Sequence, residues 1–252
     1  MSPASSNKSK TAILRTALAA VLLMSLVLLS YKTRWPVRLW NPIYGGMSDE
    51  LKDSDLYEDM NSGKSFCFMG DSITRGSMTN GITWYEPLIP YIRGDISNVS
   101  YGGLSTCELL QFADTTPYAD VYVVAIGIND VLFADDTFGA TTGSEYVSSL
   151  EDIDAMLRRI NPDARIYYIA PWPMLGFEDY AYERQSDFAD SLESWCDGTD
   201  RIAIDPYPVI MDVFAEEDIS LYMLNNFHPN GSRGPGLFSY AVLYQDHQRR
   251  IS

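Results

Sequence analysis

Short apolar runs alternate with amphipathic stretches along most of the chain. The runs predicted as strands are residues 65–69, 96–101, 121–126, 165–170 and 202–204. The stretches predicted as helices are residues 84–93, 106–112, 145–160, 180–196 and 236–248. Strands that alternate with helices indicate βαβ units, whose parallel sheet is covered on both faces. The pattern therefore predicts an α/β domain, but it does not give the order of the strands.

The first forty residues have a different pattern. Residues 16–31 carry no charge, and residues 12–14 extend the apolar stretch if Arg15 reaches the lipid headgroups. The extended stretch of about twenty residues is just long enough to span a bilayer. A cleaved signal peptide is the alternative, but the Leu-Leu-Ser-Tyr-Lys sequence that ends the stretch is a poor cleavage site. We predict a cytoplasmic leader (residues 1–11), a transmembrane signal-anchor (12–31), a juxtamembrane linker (32–62) and a folded domain (63–252).

Charge is distributed unevenly along the chain. The first forty residues carry six basic side chains and no acid, so the remainder carries 12 basic against 34 acidic side chains. A domain this acidic repels polyanions, and we expect no nucleic-acid partner. Three basic residues flank each side of the apolar stretch, so the positive-inside rule does not decide its orientation.

Cysteine and histidine are scarce. The three cysteines, Cys67, Cys107 and Cys196, do not make a disulfide framework, and no pair has the close spacing of a metal site. The only two histidines are His228 and His247. We therefore expect neither a metal centre nor a cofactor.

Glycines and polar residues follow the predicted strands. In Gly70-Asp71-Ser72, the glycine allows a sharp turn and the serine hydroxyl is placed at the active edge of the sheet. Gly103 follows the second run and Asn129 the third, where a backbone N–H and a side-chain amide can donate to an oxyanion. His228 precedes the last helix and is the natural general base. Each residue alone also has an ordinary structural explanation, as a helix cap, a turn residue or a structural histidine.

Together these blocks resemble the SGNH hydrolase (GDSL-like) superfamily over roughly residues 64–245. The similar blocks are Gly70-Asp71-Ser72-Ile73-Thr74, Gly103, Gly127-x-Asn129-Asp130 and His228-Pro229-Asn230. The resemblance implies a flavodoxin-like three-layer α/β/α fold. It also implies that Ser72 is the nucleophile and His228 its base. The oxyanion would then be held by the N–H groups of Ser72 and Gly103 and by the Asn129 amide.

One position departs from the family pattern. The family usually has an aspartate three residues before this histidine, where this chain has Asn225. The amide oxygen of Asn225 can accept from Nδ1–H of His228, but it adds no charge, and its NH₂ group would favour the wrong tautomer. Three explanations remain open. A backbone carbonyl orients His228, another carboxylate such as Asp218 does so, or the protein is catalytically weak.

The resemblance and the predicted anchor indicate a single-pass protein of the cell membrane with its domain outside the cytoplasm. We expect a serine ester hydrolase that acts on acylated, in particular O-acetylated, carbohydrate. A carbohydrate O-acetyltransferase with the same centre and a non-catalytic glycan-binding domain remain alternatives. The aromatic residues Trp84, Tyr85, Tyr101 and Trp172 are candidates for a wall against a sugar ring, although core packing is their commoner role.

Overall fold

The computed structural model describes Ser25, residues 47–135 and residues 137–252. The predicted leader (residues 1–11), the signal-anchor (12–31) apart from Ser25, and residues 32–46 of the linker lie outside the described part. Within that part, no helix has both the length and the apolar character needed to span a bilayer.

Five parallel strands form the described sheet. They are β1 (Phe66–Gly70), β2 (Ile96–Ser100), β3 (Val121–Ala125), β4 (Arg165–Ile169) and β5 (Ile202–Ile204). Each overlaps one of the five apolar runs, so the predicted strands are confirmed. Their order is β2-β1-β3-β4-β5, which is the flavodoxin-like order. That order reverses between β1 and β3, and the carboxyl ends of these two strands are where such sheets bind ligands.

The helices surround this sheet. The α-helices of the described residues are α1 (Asp49–Lys52), α2 (Asp55–Asn61), α3 (Ser72–Arg75), α4 (Ile128–Phe133), α5 (Gly143–Ile160), α6 (Asp179–Cys196), α7 (Tyr207–Glu216) and α8 (Gly234–Ile251). Short 3₁₀ helices occur at Glu86–Tyr91, Cys107–Thr115 and Ile219–Leu221. The stretches 84–93 and 106–112 were predicted as helices and are of the 3₁₀ type. In the first, Pro87 and Pro90 each lack the N–H that an α-helix needs.

Burial explains why the sheet has helices on both sides. Every residue of β1 and β3 is buried, as expected for central parallel strands with uninterrupted apolar sequences. The helices form two contact groups. One consists of α5, α6 and the Cys107–Thr115 helix, and the other of α8 with α1, α2 and α7. This arrangement is the three-layer α/β/α fold that the resemblance implied.

The folded part begins earlier than the predicted boundary at residue 63. The sequence predicts residues 47–62 as part of the juxtamembrane linker, yet they contain α1 and α2. Ser48 and Ser54 cap these helices, and the side chains of Leu51, Leu56 and Met60 are buried in the core. The acids are used in ion pairs: Asp55, for example, pairs with Arg165 and Arg249. The linker prediction therefore needs correction for residues 47–62.

Candidate active site

Ser72 lies in a sharp turn where β1 ends. A Cβ atom on Gly70 would come within 2.1 Å of the backbone oxygen of Ala125, so only glycine allows β1 and β3 to approach so closely here. The next residue, Asp71, caps α3 by accepting a 2.9 Å hydrogen bond from the N–H of Ile73. Ser72 is then the first residue of α3, and its hydroxyl is held at the carboxyl edge of the sheet.

His228 reaches Ser72 from a loop 156 residues further along the chain. Its Nε2 lies 2.9 Å from the Ser72 Oγ, and both side chains belong to residues that are only 8% exposed. The loop is closed by backbone bonds from Leu224 N–H to the His228 carbonyl (2.9 Å) and from Asn230 N–H to the Tyr222 carbonyl (2.7 Å). The structure thus brings together the serine and the histidine that the sequence singled out.

Asn225 contacts the other nitrogen of the imidazole. Its Oδ1 accepts from the backbone N–H groups of His228 (2.8 Å) and Phe227 (3.1 Å), so its Nδ2 is the atom that faces Nδ1 of His228, at 3.2 Å. A flipped amide would place NH₂ against two N–H donors, which excludes that orientation. Because Asn225 donates to Nδ1, the neutral imidazole carries its proton on Nε2 and donates it to Ser72 Oγ.

Two of the explanations for Asn225 require that another group orients His228, either a carboxylate such as Asp218 or a backbone carbonyl. The structure shows no such contact among the described residues. Asp218 is exposed, and its carboxylate accepts from the backbone N–H of Ser220 at 2.9 Å. Within the described part of the chain, Nδ1 of His228 has neither a backbone carbonyl nor a carboxylate as a hydrogen-bond partner. Burial lowers the pKa of His228 below its usual 6.5, since burial disfavours the charged ring and no acid counteracts it.

Besides the N–H of Ser72, the other two predicted oxyanion donors, Gly103 and Asn129, lie on neighbouring segments. Gly103 has a left-handed φ of +81°, and a Cβ atom on the adjacent Gly102 would lie 3.9 Å from the Cβ of Ser72. Asn129, on α4, donates from Nδ2 to the carbonyl of Leu104 at 2.8 Å. An amide NH₂ has two hydrogens, so this bond leaves one for a ligand. The Gly102–Gly103 backbone therefore lies beside Ser72, and Asn129 is bonded to the residue that follows Gly103.

A comparison with family models matches residues 68–232 to the GDSL-like Lipase/Acylhydrolase family. The chain belongs to this GDSL-like family. The matched residues run from β1 to the loop after His228, and this family is part of the SGNH hydrolase superfamily that the sequence resembled.

Solved structures give the same fold. Axe2, an acetylxylan esterase from Geobacillus stearothermophilus, superposes with a TM-score of 0.61 at 18% identity, over 75% of this chain and 96% of that one. A lipolytic G-D-S-L family protein from Veillonella parvula DSM 2008 gives 0.59 at 19% identity, over 71% and 96%. Catalytic mutants of Axe2 replace a serine, an aspartate or a histidine by alanine, and that aspartate precedes the histidine by three residues. No curated protein matches the chain significantly.

Within this GDSL-like domain, two buried carboxyl groups support the site. Asp130 accepts from the N–H (2.8 Å) and the hydroxyl (2.9 Å) of Thr106, and so ties α4 to the segment that follows Gly103. The pKa of Asp71 is raised to about 7, chiefly by burial and further by the charge of Asp130. One oxygen of Asp71, Oδ2, is buried without a hydrogen-bond partner among the described residues.

The aromatic candidates divide into core and surface. Trp84, Tyr85 and Trp172 are buried, which makes them core residues rather than a wall against substrate. Tyr101 is 40% exposed, but Phe112 stacks on its ring at 4.0 Å and the guanidinium of Arg75 lies over the ring at 5.3 Å. The ring of Tyr101 therefore already has an aromatic and a cationic partner within the protein.

Sequence reasoning missed one cationic residue that supports the site. Arg184, on α6, donates from Nη1 to the carbonyls at the end of α4, those of Asp130 (3.0 Å), Val131 (3.2 Å) and Ala134 (3.4 Å). No spacing in the sequence links Arg184 to α4, because the contact joins two helices about fifty residues apart.

Proposed function

We propose that the chain is a serine esterase that removes acetyl groups from carbohydrate. The contact of 2.9 Å between Ser72 Oγ and His228 Nε2, at the carboxyl edge of the sheet, carries this proposal. Membership of an acylhydrolase family supports the type of reaction. The similarity to an acetylxylan esterase supports the class of substrate.

In the first step, Ser72 Oγ attacks the ester carbonyl and its proton passes to Nε2 of His228. The carbonyl oxygen becomes an oxyanion, which accepts from the N–H groups of Ser72 and Gly103 and from the free hydrogen of the Asn129 amide. Collapse of this intermediate breaks the bond to the alcohol, which leaves with the proton from Nε2. Water then attacks the acyl-serine by the same route, releasing the acid and restoring the Ser72 hydroxyl.

Asn225 limits the first step. The base must offer a lone pair on Nε2, which requires the proton to reside on Nδ1. In that tautomer Nδ1–H faces the NH₂ of Asn225, so a hydrogen bond of roughly 1–3 kcal/mol is lost and two donors oppose each other. Asn225 also adds no negative charge beside the imidazolium. We therefore expect an esterase that is slow for its family.

The test is hydrolysis of an acetylated xylo-oligosaccharide and of a short-chain aryl ester by the full-length chain, with Ser72→Ala as the control. We expect turnover in the wild type and none in Ser72→Ala, with unchanged circular dichroism. Equal turnover in both proteins would exclude Ser72 as the nucleophile. Adding an acceptor alcohol and analysing the products separates hydrolysis from acyl transfer.

The orientation of Asn225 favours one second candidate, a glycan-binding domain that has lost turnover. The resting tautomer places Nε2–H on Ser72 Oγ, which does not activate the serine. A fluorophosphonate probe distinguishes the two functions, because it labels only an activated serine. Labelling of the wild type but not of Ser72→Ala supports the esterase, and no labelling of either supports the binding domain.

The proposed location is the outer face of a cell membrane, with the domain held by residues 12–31. The uncharged stretch of residues 16–31 and the poor cleavage site after it support this part of the proposal.

A further inference from the structure

One phenylalanine ring packs against the His228 imidazole, and two more phenylalanine rings lie beside that first ring. The centroid of the Phe227 ring is 4.4 Å from that of the His228 imidazole. Phe133 meets Phe227 edge-on at 6.5 Å, and Phe177 lies 6.2 Å from Phe227. We call Phe133, Phe177 and Phe227 the phenylalanine wall.

The wall joins the two segments between which an ester would bind. Phe133 is the last residue of α4 and lies one helical turn beyond Asn129, on the same side of the helix because the two are four residues apart. Asn129 is only 5% exposed, whereas Phe133 is 55% exposed, so the helix leads from the recessed amide out to solvent. Phe227 directly precedes His228. The phenylalanine wall therefore runs from α4, which carries Asn129, to His228, the proposed general base.

A backbone hydrogen bond connects the two loops that carry Phe177 and Phe227. The backbone N–H of Leu175 donates to the carbonyl of Asn226 at 2.8 Å, which ties the loop carrying Phe177 to the loop carrying Phe227. Core packing does not explain Phe133, since more than half of its surface is exposed to solvent. An exposed apolar surface beside a catalytic pair is typical of a ligand-binding site.

The chemistry of ester hydrolysis indicates which part of the substrate meets the wall. In the proposed reaction the carbonyl oxygen is held by Ser72, Gly103 and Asn129, and the alcohol oxygen receives the proton from Nε2 of His228. The alcohol portion then lies beside the imidazole, and the Phe227 ring packs on that imidazole. Phenylalanine has no polar group, so its partner is an apolar face.

We propose that the phenylalanine wall binds the sugar ring of the leaving alcohol by packing its flat rings against the C–H face of a pyranose. This inference rests on the proposed function and assigns the alcohol side of the site to Phe133 and Phe227. Phe133, the exposed member of the wall, differs in this from Tyr101, on which Phe112 stacks and the guanidinium of Arg75 lies.

The experiment compares two acetyl esters that differ only in the alcohol, an acetylated xylo-oligosaccharide and ethyl acetate. The variants of the full-length chain are Phe133→Ala, Phe133→Leu and Phe133→Trp. The control is Tyr118→Ala, because Tyr118 is 63% exposed but precedes β3 at the opposite edge of the sheet. We measure the ratio of kcat/KM on the saccharide to kcat/KM on ethyl acetate.

We expect this ratio to fall about tenfold in Phe133→Ala and Phe133→Leu, through a higher KM for the saccharide, because a stacked ring contact is worth roughly that factor. Phe133→Trp keeps a flat ring and should keep the ratio, as should Tyr118→Ala. An unchanged ratio in Phe133→Ala overturns the inference. A wild-type ratio in Phe133→Leu also overturns it, since any apolar side chain would then suffice.

A binding measurement separates this inference from the proposed function. Calorimetry with xylobiose and the full-length Ser72→Ala chain requires no turnover. We expect binding that weakens about tenfold when Phe133→Ala is added. If the wild type hydrolyses no ester but binding depends on Phe133, the proposed function fails and the wall stands. If xylobiose does not bind, or binds equally well without the Phe133 ring, the wall is overturned.

Discussion

The amide of Asn225 is oriented by the backbone N–H groups of Phe227 and His228, which leaves its NH₂ facing Nδ1 of His228. In Asn225→Asp, one carboxylate oxygen can keep those two backbone bonds while the other accepts from Nδ1–H. Nε2 then becomes the acceptor that Ser72 needs, and the imidazolium gains a counter-charge. We expect kcat on an aryl ester to rise by about tenfold or more.

The pH–rate profile provides an independent check of Asn225→Asp. Burial holds the pKa of His228 below 6.5 in the wild type, so the imidazole stays neutral to lower pH and the acid limb of kcat/KM lies below that value. A nearby carboxylate favours the charged ring, so the limb should move to higher pH in the variant. Asp218→Asn is the matched control and should change neither the acid limb of kcat/KM nor kcat, because the Asp218 carboxylate accepts from the backbone N–H of Ser220. A loss of activity in Asn225→Asp would show that the asparagine itself is required.

Asp71 should make the free energy of unfolding depend on pH. Burial and the charge of Asp130 raise its folded-state pKa to about 7 from 3.8. A raised carboxyl pKa means that the folded state binds the proton more tightly. The contribution of Asp71 to the free energy of unfolding is therefore fully present below pH 3.8. It is lost as the pH rises through 7, by at most ~1.4 kcal/mol per pH unit. Asp71→Asn should be more stable, relative to the wild type, at pH 8 than at pH 5. Urea denaturation at both pH values measures this, and a pH-independent difference would contradict it.

At the scale of elements, α4 depends on a cation from another helix. Nη1 of Arg184 donates to the carbonyls of Asp130 and Val131 in the last turn of α4 and to that of Ala134, which follows the helix. The Asp130 carbonyl also accepts from the backbone N–H of Ala134. We expect Arg184→Gln to cost about 1–2 kcal/mol of stability and to lower kcat more than it raises KM, because α4 carries Asn129. Thermal unfolding and ester kinetics check this.

Arg184→Lys keeps the charge and should recover part of both losses. Arg159→Gln, which removes an exposed cation from α5, should change neither quantity. Stability lost without any change in kcat would show that Arg184 supports the fold but does not position Asn129.

The elements also show what the sequence can predict. The strands β1, β3 and β5 were predictable because each is an uninterrupted apolar run, and β5 matched to the residue. In β2 the apolar residues are interrupted by Ser97 and Asn98. The helix α7 was missed, and it carries Pro206 at its N-cap and Pro208 in its first turn, where proline is well tolerated. The order of the strands could not be predicted, since it depends on long-range packing.

The site was predictable to a similar degree. Motif blocks identified Ser72 and His228, because each block follows the end of a strand or precedes a helix at the same sheet edge. The orientation of the Asn225 amide could not be predicted, since it depends on two backbone N–H groups that the sequence does not position. Phe133 and Phe227 were missed for a related reason. Their contact joins α4 to a loop more than ninety residues away.

For the whole molecule, the uneven charge bears on how the domain meets a membrane. The first forty residues carry six basic side chains and no acid, and the rest carries 12 basic against 34 acidic side chains. A strongly acidic domain is repelled by anionic lipid headgroups. The domain by itself should therefore have little affinity for a bilayer, and we expect any membrane attachment to come from the first forty residues.

We therefore expect the full-length chain to sediment with membranes and to resist carbonate extraction, while a chain that begins at residue 47 stays in the supernatant. Carbonate removes proteins held by charge but not a helix of about twenty apolar residues, whose insertion is effectively irreversible. Residue 47 is the right starting point because α1 and α2 pack on α8 and belong to the folded part. The N-terminal sequence of protein recovered from cells decides between anchor and signal peptide. A mature chain that begins after Ser30 would mean that the stretch is cleaved, and the anchor prediction would then be wrong.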